Sequence, residues 1–243
     1  MKNKSYIGIS FIILVFGIYA IPKIADRLSN GGVVKEDRMN RVHQDLSENK
    51  DSGLVKFGKV PNFQFINQDS VTVSNNFFNG KVYVVEFFFT TCPTICPIMT
   101  KNMTEIEKTF SNDADFAIAS FTINAKNDTP SVLKAYQKEY AIIMKNWQML
   151  TGNPNEIMAL ANKGFNLYAA MDDKAPGGFE HSGMFALVDK NGYIRSRKDE
   201  FGNPILCYRG IAGTRKDETG EIIDKTNHQI TELKQDILKL LKE

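Results

Sequence analysis

The stretch KVYVVEFFFTTCPTICPIM, residues 81–99, joins an apolar run to two closely spaced cysteines. Apart from Glu86, residues 82–89 are all β-branched or aromatic, which is typical of a strand buried on both faces. Cys92 and Cys96 follow directly, and Pro97 suits the first position of a helix. The stretch therefore predicts a central strand, a cysteine loop and a helix in direct succession.

The remainder of the chain alternates between strand-like and helix-like patterns. The predicted strands are residues 63–66, 71–74, 81–89, 115–123, 147–150, 184–189 and 193–196, the last two joined by a turn at Asn191-Gly192. The predicted helices begin near Cys96, Thr129, Asn153 and Thr226. This order predicts a parallel core completed by antiparallel strands, as in a thioredoxin-like α/β fold, over residues 57–243.

The amino terminus carries an apolar run that predicts a membrane anchor. Residues 6–21 contain no charge and lie between Lys4 and Lys23. At about 1.5 Å per residue the run covers about 24 Å, which reaches across a hydrocarbon layer of about 30 Å if the flanking lysines extend to its surfaces. Because no small-x-small cleavage site follows, we expect residues 1–24 to be an uncleaved transmembrane helix; a cleaved signal peptide is the alternative.

Residues 25–56 are polar and predict a tether, with a short helix near residues 35–46. A short amino-terminal tail normally stays inside, whereas a long domain is translocated largely regardless of its charges. We therefore expect a single-pass protein of the cell inner membrane whose domain faces the periplasm. His43 lies in the tether and is expected to be solvated.

Composition and charge exclude several classes of protein. The chain has 243 residues, of which 42% are hydrophobic, and 30 Lys and Arg against 28 Asp and Glu leave a net charge of +2. Without a strong positive field, nucleic acid is not expected as a partner. Three cysteines are too few for a disulfide-stapled scaffold, so the clustering of Cys92 and Cys96 indicates redox or metal chemistry.

The cysteine loop predicts a reactive thiolate. Cys96 is placed near the amino cap of a helix, where unpaired N–H groups and the helix dipole lower the pKa of a thiol. The three-residue gap between Cys92 and Cys96 is wider than the two-residue gap of dithiol oxidoreductases, and it lets both sulfurs face one ion. Two thiolates select Cu(I), or alternatively Zn, and require a third donor.

The histidines available as that donor are His43, His181 and His228. His181 lies between the loop of residues 172–180 and the predicted strand that begins at Met184, where a loop residue can face the cysteine loop. Taken alone, a histidine in such a loop is more often a surface residue, and His228 is expected to be one as well.

The order of the motifs resembles the Sco/SenC family. The motifs are the buried strand, Thr91-Cys-Pro-Thr-Ile-Cys-Pro97, Asp128-Thr129-Pro130, Trp147-Gln-Met-Leu-Thr-Gly152, and His181-Ser182 followed by Leu187-Val-Asp-Lys-Asn-Gly192. The resemblance covers about residues 60–194 and the carboxy-terminal helix. It implies a membrane-anchored, thioredoxin-like copper chaperone that helps to assemble the binuclear copper centre of cytochrome c oxidase.

Carried over by position, the resemblance implies that Cys92, Cys96 and His181 are the metal ligands and hold copper as Cu(I) or Cu(II). The implied partner is the copper-bearing subunit of cytochrome c oxidase or another copper acceptor. The chain departs from the family pattern at Asn124-Ala125, where the family has Asp-Pro, so that Asp128 is the carboxylate that remains. It also departs in an extended segment, residues 195–220, where the partner surface is expected to differ.

Two other interpretations stay open. The same fold and thiolates permit a thiol-disulfide oxidoreductase with Cys92 and Cys96 as its catalytic pair, acting on cysteines of an oxidase subunit or of another extracytoplasmic protein. The plainest alternative is a tethered domain stabilised by one disulfide.

The other sulfur-containing side chains near the motifs are predicted to be structural. Met99 and Met103 share a helical spacing with Ile106 and Phe110, which favours packing in the core over a role as thioether ligands. Cys207 is expected to be buried and inert, with an intermolecular disulfide as the alternative.

Overall fold

The computed structural model describes Leu14, residues 16–19, 21 and 22, residues 53–211 and residues 228–243. The described residues before residue 53 are helical. Among all described residues, none belongs to a helix with the length and apolar character needed to cross a membrane. Most of the predicted anchor, residues 1–24, and most of the predicted tether, residues 25–56, lie outside the described residues, as does the helix predicted near residues 35–46.

From residue 53 onward, the described chain forms strands and helices in this order: β1 (Val55–Lys59), β2 (Gln64–Asn67), β3 (Thr72–Ser74), α1 (Asn75–Phe78), β4 (Val82–Phe88), α2 (Cys96–Phe110), β5 (Phe116–Thr122), α3 (Pro130–Glu139), β6 (Trp147–Thr151), α4 (Pro154–Ala159), β7 (Ala169–Met171), β8 (Phe179–His181), β9 (Met184–Val188), β10 (Tyr193–Ser196), β11 (Tyr208–Arg209) and α5 (His228–Lys242). A π-helical turn, Leu160–Gly164, follows α4, and a 3-10 turn, Pro176–Gly178, lies between β7 and β8. Strand β1 begins at Val55, so the last two residues of the predicted tether, 55 and 56, belong to the folded domain.

One mixed sheet contains most of these strands, in the order β1-β10-β9-β4-β5-β6-β2-β3. Strand β4 runs parallel to β5, and β5 runs parallel to β6. Strands β9 and β2 continue the sheet in antiparallel pairing on either side, and β7 and β8 form a separate two-stranded ribbon. The predicted parallel core completed by antiparallel strands is confirmed.

The centre of the sheet is buried on both faces. Every residue of β4 and of β5 is buried, which is why both strands are apolar apart from Glu86, Ser120 and Thr122. Successive side chains of β4 point to opposite faces, so Phe87 stacks on Phe121 with 5.3 Å between ring centroids, whereas Phe88 packs against Tyr136 of α3 at 5.4 Å. The cysteine loop therefore follows directly from a buried, rigid strand.

Helix α2 buries the stripe predicted from its sequence. Met99, Met103 and Ile106 have no exposed surface, and Phe110 is 3% exposed. Both methionines therefore belong to the core, as predicted. Helix α2 begins at Cys96, one position before the predicted start at Pro97.

The predicted helix caps have different outcomes. The Asn153 side chain caps α4 by accepting hydrogen bonds from the N–H groups of Asn155 and Glu156. The Thr129 side chain makes no capping bond at α3, because its hydroxyl lies 3.0 Å from that of Ser131. Thr226, the predicted cap of α5, lies outside the described residues.

We expect Met103→Ala to lower the free energy of unfolding by about 2–5 kcal/mol, because it leaves a cavity between α2 and the sheet. Met103→Leu nearly conserves the volume and should cost less than about 1.5 kcal/mol. Urea denaturation followed by fluorescence of Trp147, the one tryptophan of the chain, measures both changes. Equal losses in the two variants would contradict this account of the core.

Candidate metal centre

The loop after β4, the start of α2 and the end of β8 bring Cys92, Cys96 and His181 together. One donor atom from each, two Sγ atoms and an imidazole nitrogen, lie within 4.8 Å of one another. Cys96 Sγ is 3.2 Å from His181 Nε2, although the two residues are 85 positions apart in sequence. All three residues are buried. The three residues singled out as candidate ligands thus meet at one place in the fold.

The cysteine loop and the start of α2 place hydrogen-bond donors next to Cys92 Sγ. The Cys96 N–H donates to this sulfur at 3.5 Å, and the Thr94 hydroxyl lies 3.6 Å from it. Hydrogen bonds from the Cys96 thiol, and then from His181 and the backbone, outweigh burial and hold the pKa of the Cys92 thiol well below its ordinary value. These bonds favour the thiolate of Cys92, which is the form that binds metals and attacks disulfides.

Cys96 has the opposite character. Its side chain is 1% exposed, and burial followed by the hydrogen bond to Cys92 raises the pKa of its thiol far above the ordinary value. The prediction that the helix amino terminus favours a thiolate at Cys96 is wrong. Cys96 is itself the first helical residue, so its N–H points at Cys92 while its own sulfur turns into the interior.

His181 belongs to a short strand and not to the predicted loop. It pairs with Ala169 across the β7–β8 ribbon. The Phe89 ring lies edge-on to the imidazole, with 6.0 Å between centroids, and also contacts Phe179 at 5.3 Å. Gly177 has a φ of +82°, and a Cβ atom there would lie 2.7 Å from the Phe89 ring. This close approach lets the β7–β8 ribbon pack against the cysteine loop, which places the imidazole of His181 next to the loop.

An open cleft of about 290 Å³ leads from the surface to the site. The cysteine loop contributes Cys92, Thr94 and Ile95 to its wall, and the opposite wall comes from residues between 172 and 181. Cys92 is 7% exposed and His181 is 8% exposed, against 1% for Cys96. An incoming ion or thiol therefore meets Cys92 and His181 before it reaches Cys96.

Glu86 is a second feature of the site, and the sequence reasoning missed it. Its Oε1 accepts a hydrogen bond of 2.7 Å from the Ser120 hydroxyl, while its Oε2 has no hydrogen-bond partner within the described part of the chain. Burial raises the pKa of this carboxyl to about 7, and its charge raises the pKa of Cys96 further. The signal that could have found it is a single ionisable residue inside an otherwise apolar strand.

The other candidate residues lie elsewhere or outside the described residues. Cys207 is buried, as predicted, and burial raises the pKa of its thiol to about 12, which makes it unreactive. His43 lies outside the described residues, and so does the side chain of His228.

A mixed sheet with a parallel centre, followed by a thiolate at the start of a helix, defines a thioredoxin-like protein with two thiols and an imidazole at one site. Sequence comparison specifies the family. The model of the family described as SCO1/SenC matches residues 55–214. The chain belongs to this family, which confirms the resemblance inferred from its motifs.

Individual relatives agree with this assignment. The SCO1 protein homolog of Bacillus subtilis is 34% identical over 165 residues, which cover 66% of this chain and 78% of that protein. A SCO1/SenC family lipoprotein from Bacillus anthracis aligns with a TM-score of 0.60 and 27% identity over 75% of this chain and 95% of its own. BsSco, described as a member of the Sco family of cytochrome c oxidase assembly proteins with a disulfide switch, aligns with a TM-score of 0.54 and 30% identity over 74% of this chain and 93% of its own. The predicted thioredoxin-like α/β fold is confirmed.

We expect Glu86→Gln to remove part of the pH dependence of stability. The pKa of about 7 in the folded state lies above the value of about 4.3 for an unfolded Glu, so the folded chain binds more protons between these two values. The contribution of Glu86 to stability is present below about pH 4.3 and is lost, by about 4 kcal/mol, as the pH rises through 7.

Urea denaturation of the wild type and of Glu86→Gln, at several values between about pH 5 and pH 8, measures this difference. The stability of the variant relative to the wild type should rise with pH. A difference that is constant over this range would contradict the assigned protonation behaviour of Glu86.

Proposed function

We propose that this chain carries copper on Cys92, Cys96 and His181 and delivers it to the binuclear copper site of cytochrome c oxidase. The observation that carries the proposal is the convergence of two sulfur atoms and one imidazole nitrogen within 4.8 Å, at the base of an open cleft. Two soft thiolates and an imidazole suit Cu(I) in a three-coordinate site. Membership in the SCO1/SenC family supports the same metal.

The different environments of the two cysteines suit a carrier that must also release its cargo. The Cys92 thiolate and His181 line the cleft and are the first donors that an incoming copper ion meets. Cys96 then releases its thiol proton to the solvent in the cleft and completes the site from the buried side. In the reverse direction, a thiolate or imidazole of the acceptor enters through the cleft and displaces the accessible donors first, so that copper passes by ligand exchange without becoming free.

The proposed acceptor and location follow from the family and from the amino-terminal sequence. BsSco is described as belonging to a family of cytochrome c oxidase assembly proteins, which supports the copper-bearing oxidase subunit as the acceptor. The apolar run of residues 6–21 supports an anchor in the cell inner membrane, with the domain in the periplasm. A tether would let the site reach a neighbouring membrane protein.

A second candidate function is thiol-disulfide exchange. The difference in acidity and exposure between the Cys92 and Cys96 thiols favours it. The Cys92 thiolate attacks a disulfide of the partner, forms a mixed disulfide and releases one partner thiolate. Cys96 passes its thiol proton to the partner thiolate released first and attacks the Cys92 sulfur, which forms the Cys92–Cys96 disulfide and releases the second partner thiolate. The pair then lacks the thiolates that hold copper, so oxidation and metal loading exclude each other.

Metal analysis of the reduced protein distinguishes the two functions. We expect about one copper per wild-type chain, and no bound copper in Cys92→Ser, because that variant lacks the preformed thiolate. His181→Ala should bind copper more weakly and with altered coordination, while its exchange with a small disulfide continues.

Cys207→Ser is the matched control, since it removes a buried thiol outside the candidate site and should retain wild-type copper binding. Unchanged copper binding and coordination in His181→Ala would reject the proposed ligand set. Such a result would leave thiol exchange as the better supported function.

A further inference from the structure

Asp128 is a fully buried carboxylate between the cysteine loop and α3. Both of its oxygens accept hydrogen bonds from Thr90, which lies between β4 and Cys92. The Thr90 N–H donates to Oδ2 at 2.9 Å, and the Thr90 hydroxyl donates to Oδ1 at 2.6 Å. A single side chain therefore fixes both the backbone and the side chain of the residue at which the loop begins.

The same carboxylate is attached to the rigid part of the fold. The hydroxyl of Thr122, the last residue of β5, donates to Oδ2, and the Asn127 side-chain amide donates to Oδ1 at 2.9 Å. Each oxygen thus accepts two hydrogen bonds, so four donors converge on this one side chain. Asp128 connects the start of the cysteine loop to the end of a central strand.

The position of Thr90 bears directly on the geometry of the donor atoms. Cys92 follows two residues later, and its N–H donates to the Phe89 carbonyl at 3.3 Å, so the loop turns tightly here. A rotation of the backbone at Thr90 would move Cys92 Sγ relative to the Cys96 N–H and the imidazole of His181. Groups that hold metal ligands in place affect metal affinity although they do not touch the ion.

We propose that Asp128 is a positioning residue that holds the cysteine loop in the dithiol geometry, ready to receive a metal, by fixing Thr90. The part of the proposal that concerns copper rests on the proposed function. The part that concerns the Cys92–Cys96 pair does not, because the same loop geometry sets the balance between the dithiol and the disulfide.

The test compares full-length wild type with Asp128→Asn. An amide presents only one accepting oxygen, so the isosteric variant loses two of the four hydrogen bonds and turns an NH₂ group toward two donors. Competition with a Cu(I) chelator should show an affinity that is about 10- to 100-fold weaker. Equilibration with glutathione should show a shift of about tenfold toward the Cys92–Cys96 disulfide, because the bonds that are lost hold the dithiol geometry.

Two threonine variants test the two sides of the connection that Asp128 makes. Thr90→Val and Thr122→Val each remove one hydroxyl donor from the same carboxylate, but only Thr90 lies on the loop. Thr90→Val should reproduce most of the loss in copper affinity and most of the shift toward the disulfide. Thr122→Val removes a bond that attaches the carboxylate to β5, so it should lower the unfolding temperature and change both quantities in the same direction as Thr90→Val but by less.

Asp189→Asn is a control at a second buried carboxylate. Asp189 accepts hydrogen bonds from the N–H groups of Asn191 and Tyr193 at the β9–β10 turn. This variant should be less stable but keep the wild-type affinity and glutathione equilibrium. Equal shifts in Asp189→Asn and Asp128→Asn would show a general loss of stability and overturn the proposal.

Other outcomes are also decisive. A Cu(I) affinity and a glutathione equilibrium within twofold of the wild type in both Asp128→Asn and Thr90→Val would overturn the proposal. A shift of the glutathione equilibrium toward the dithiol in Asp128→Asn would also overturn it. If the wild type takes up no copper, the proposed function fails, while the glutathione equilibrium still decides for or against Asp128.

Discussion

The contact of 3.2 Å between Cys96 Sγ and His181 Nε2 joins two parts of the chain that local sequence does not connect. It exists because the β7–β8 ribbon packs against the cysteine loop, with Phe89 between Phe179 and the imidazole and with Gly177 close to the Phe89 ring. Without this packing, Cys92 and Cys96 would be a dithiol with no third donor. The same packing forms the cleft through which the site reaches solvent.

The two sulfurs differ because the chain turns into a helix between them. The start of α2 directs an N–H group at Cys92 and buries Cys96, so the site combines an accessible thiolate with a protected thiol. Glu86 increases the contrast, since a buried carboxylate disfavours a second negative charge at Cys96. A metal ion that binds both sulfurs must offset the cost of this second negative charge. The metal-free and metal-bound states of the site therefore differ in charge as well as in ligands.

Much of the fold could be predicted because burial leaves a direct trace in the sequence. The continuous apolar runs of β4 and β5, the turn at Asn191-Gly192 and the methionine stripe of α2 each reflect local periodicity or turn chemistry. The β7–β8 ribbon has strands of only three residues and leaves no such trace, so spacing alone could not assign His181 to the site. The family resemblance supplied that assignment.

The remaining errors come from features that depend on a single position. The sequence predicts the thiolate at Cys96 because it shows a helix start near Pro97 but not which N–H faces which sulfur. The contacts of Glu86 with Ser120, and of Asp128 with Thr90, are tertiary and have no periodic signature.

X-ray absorption spectroscopy of the reduced protein loaded with one equivalent of Cu(I) tests the central claim most directly. The account predicts a first coordination shell of two sulfur atoms and one imidazole nitrogen, from Cys92, Cys96 and His181. A shell of two sulfur atoms without imidazole nitrogen would contradict it.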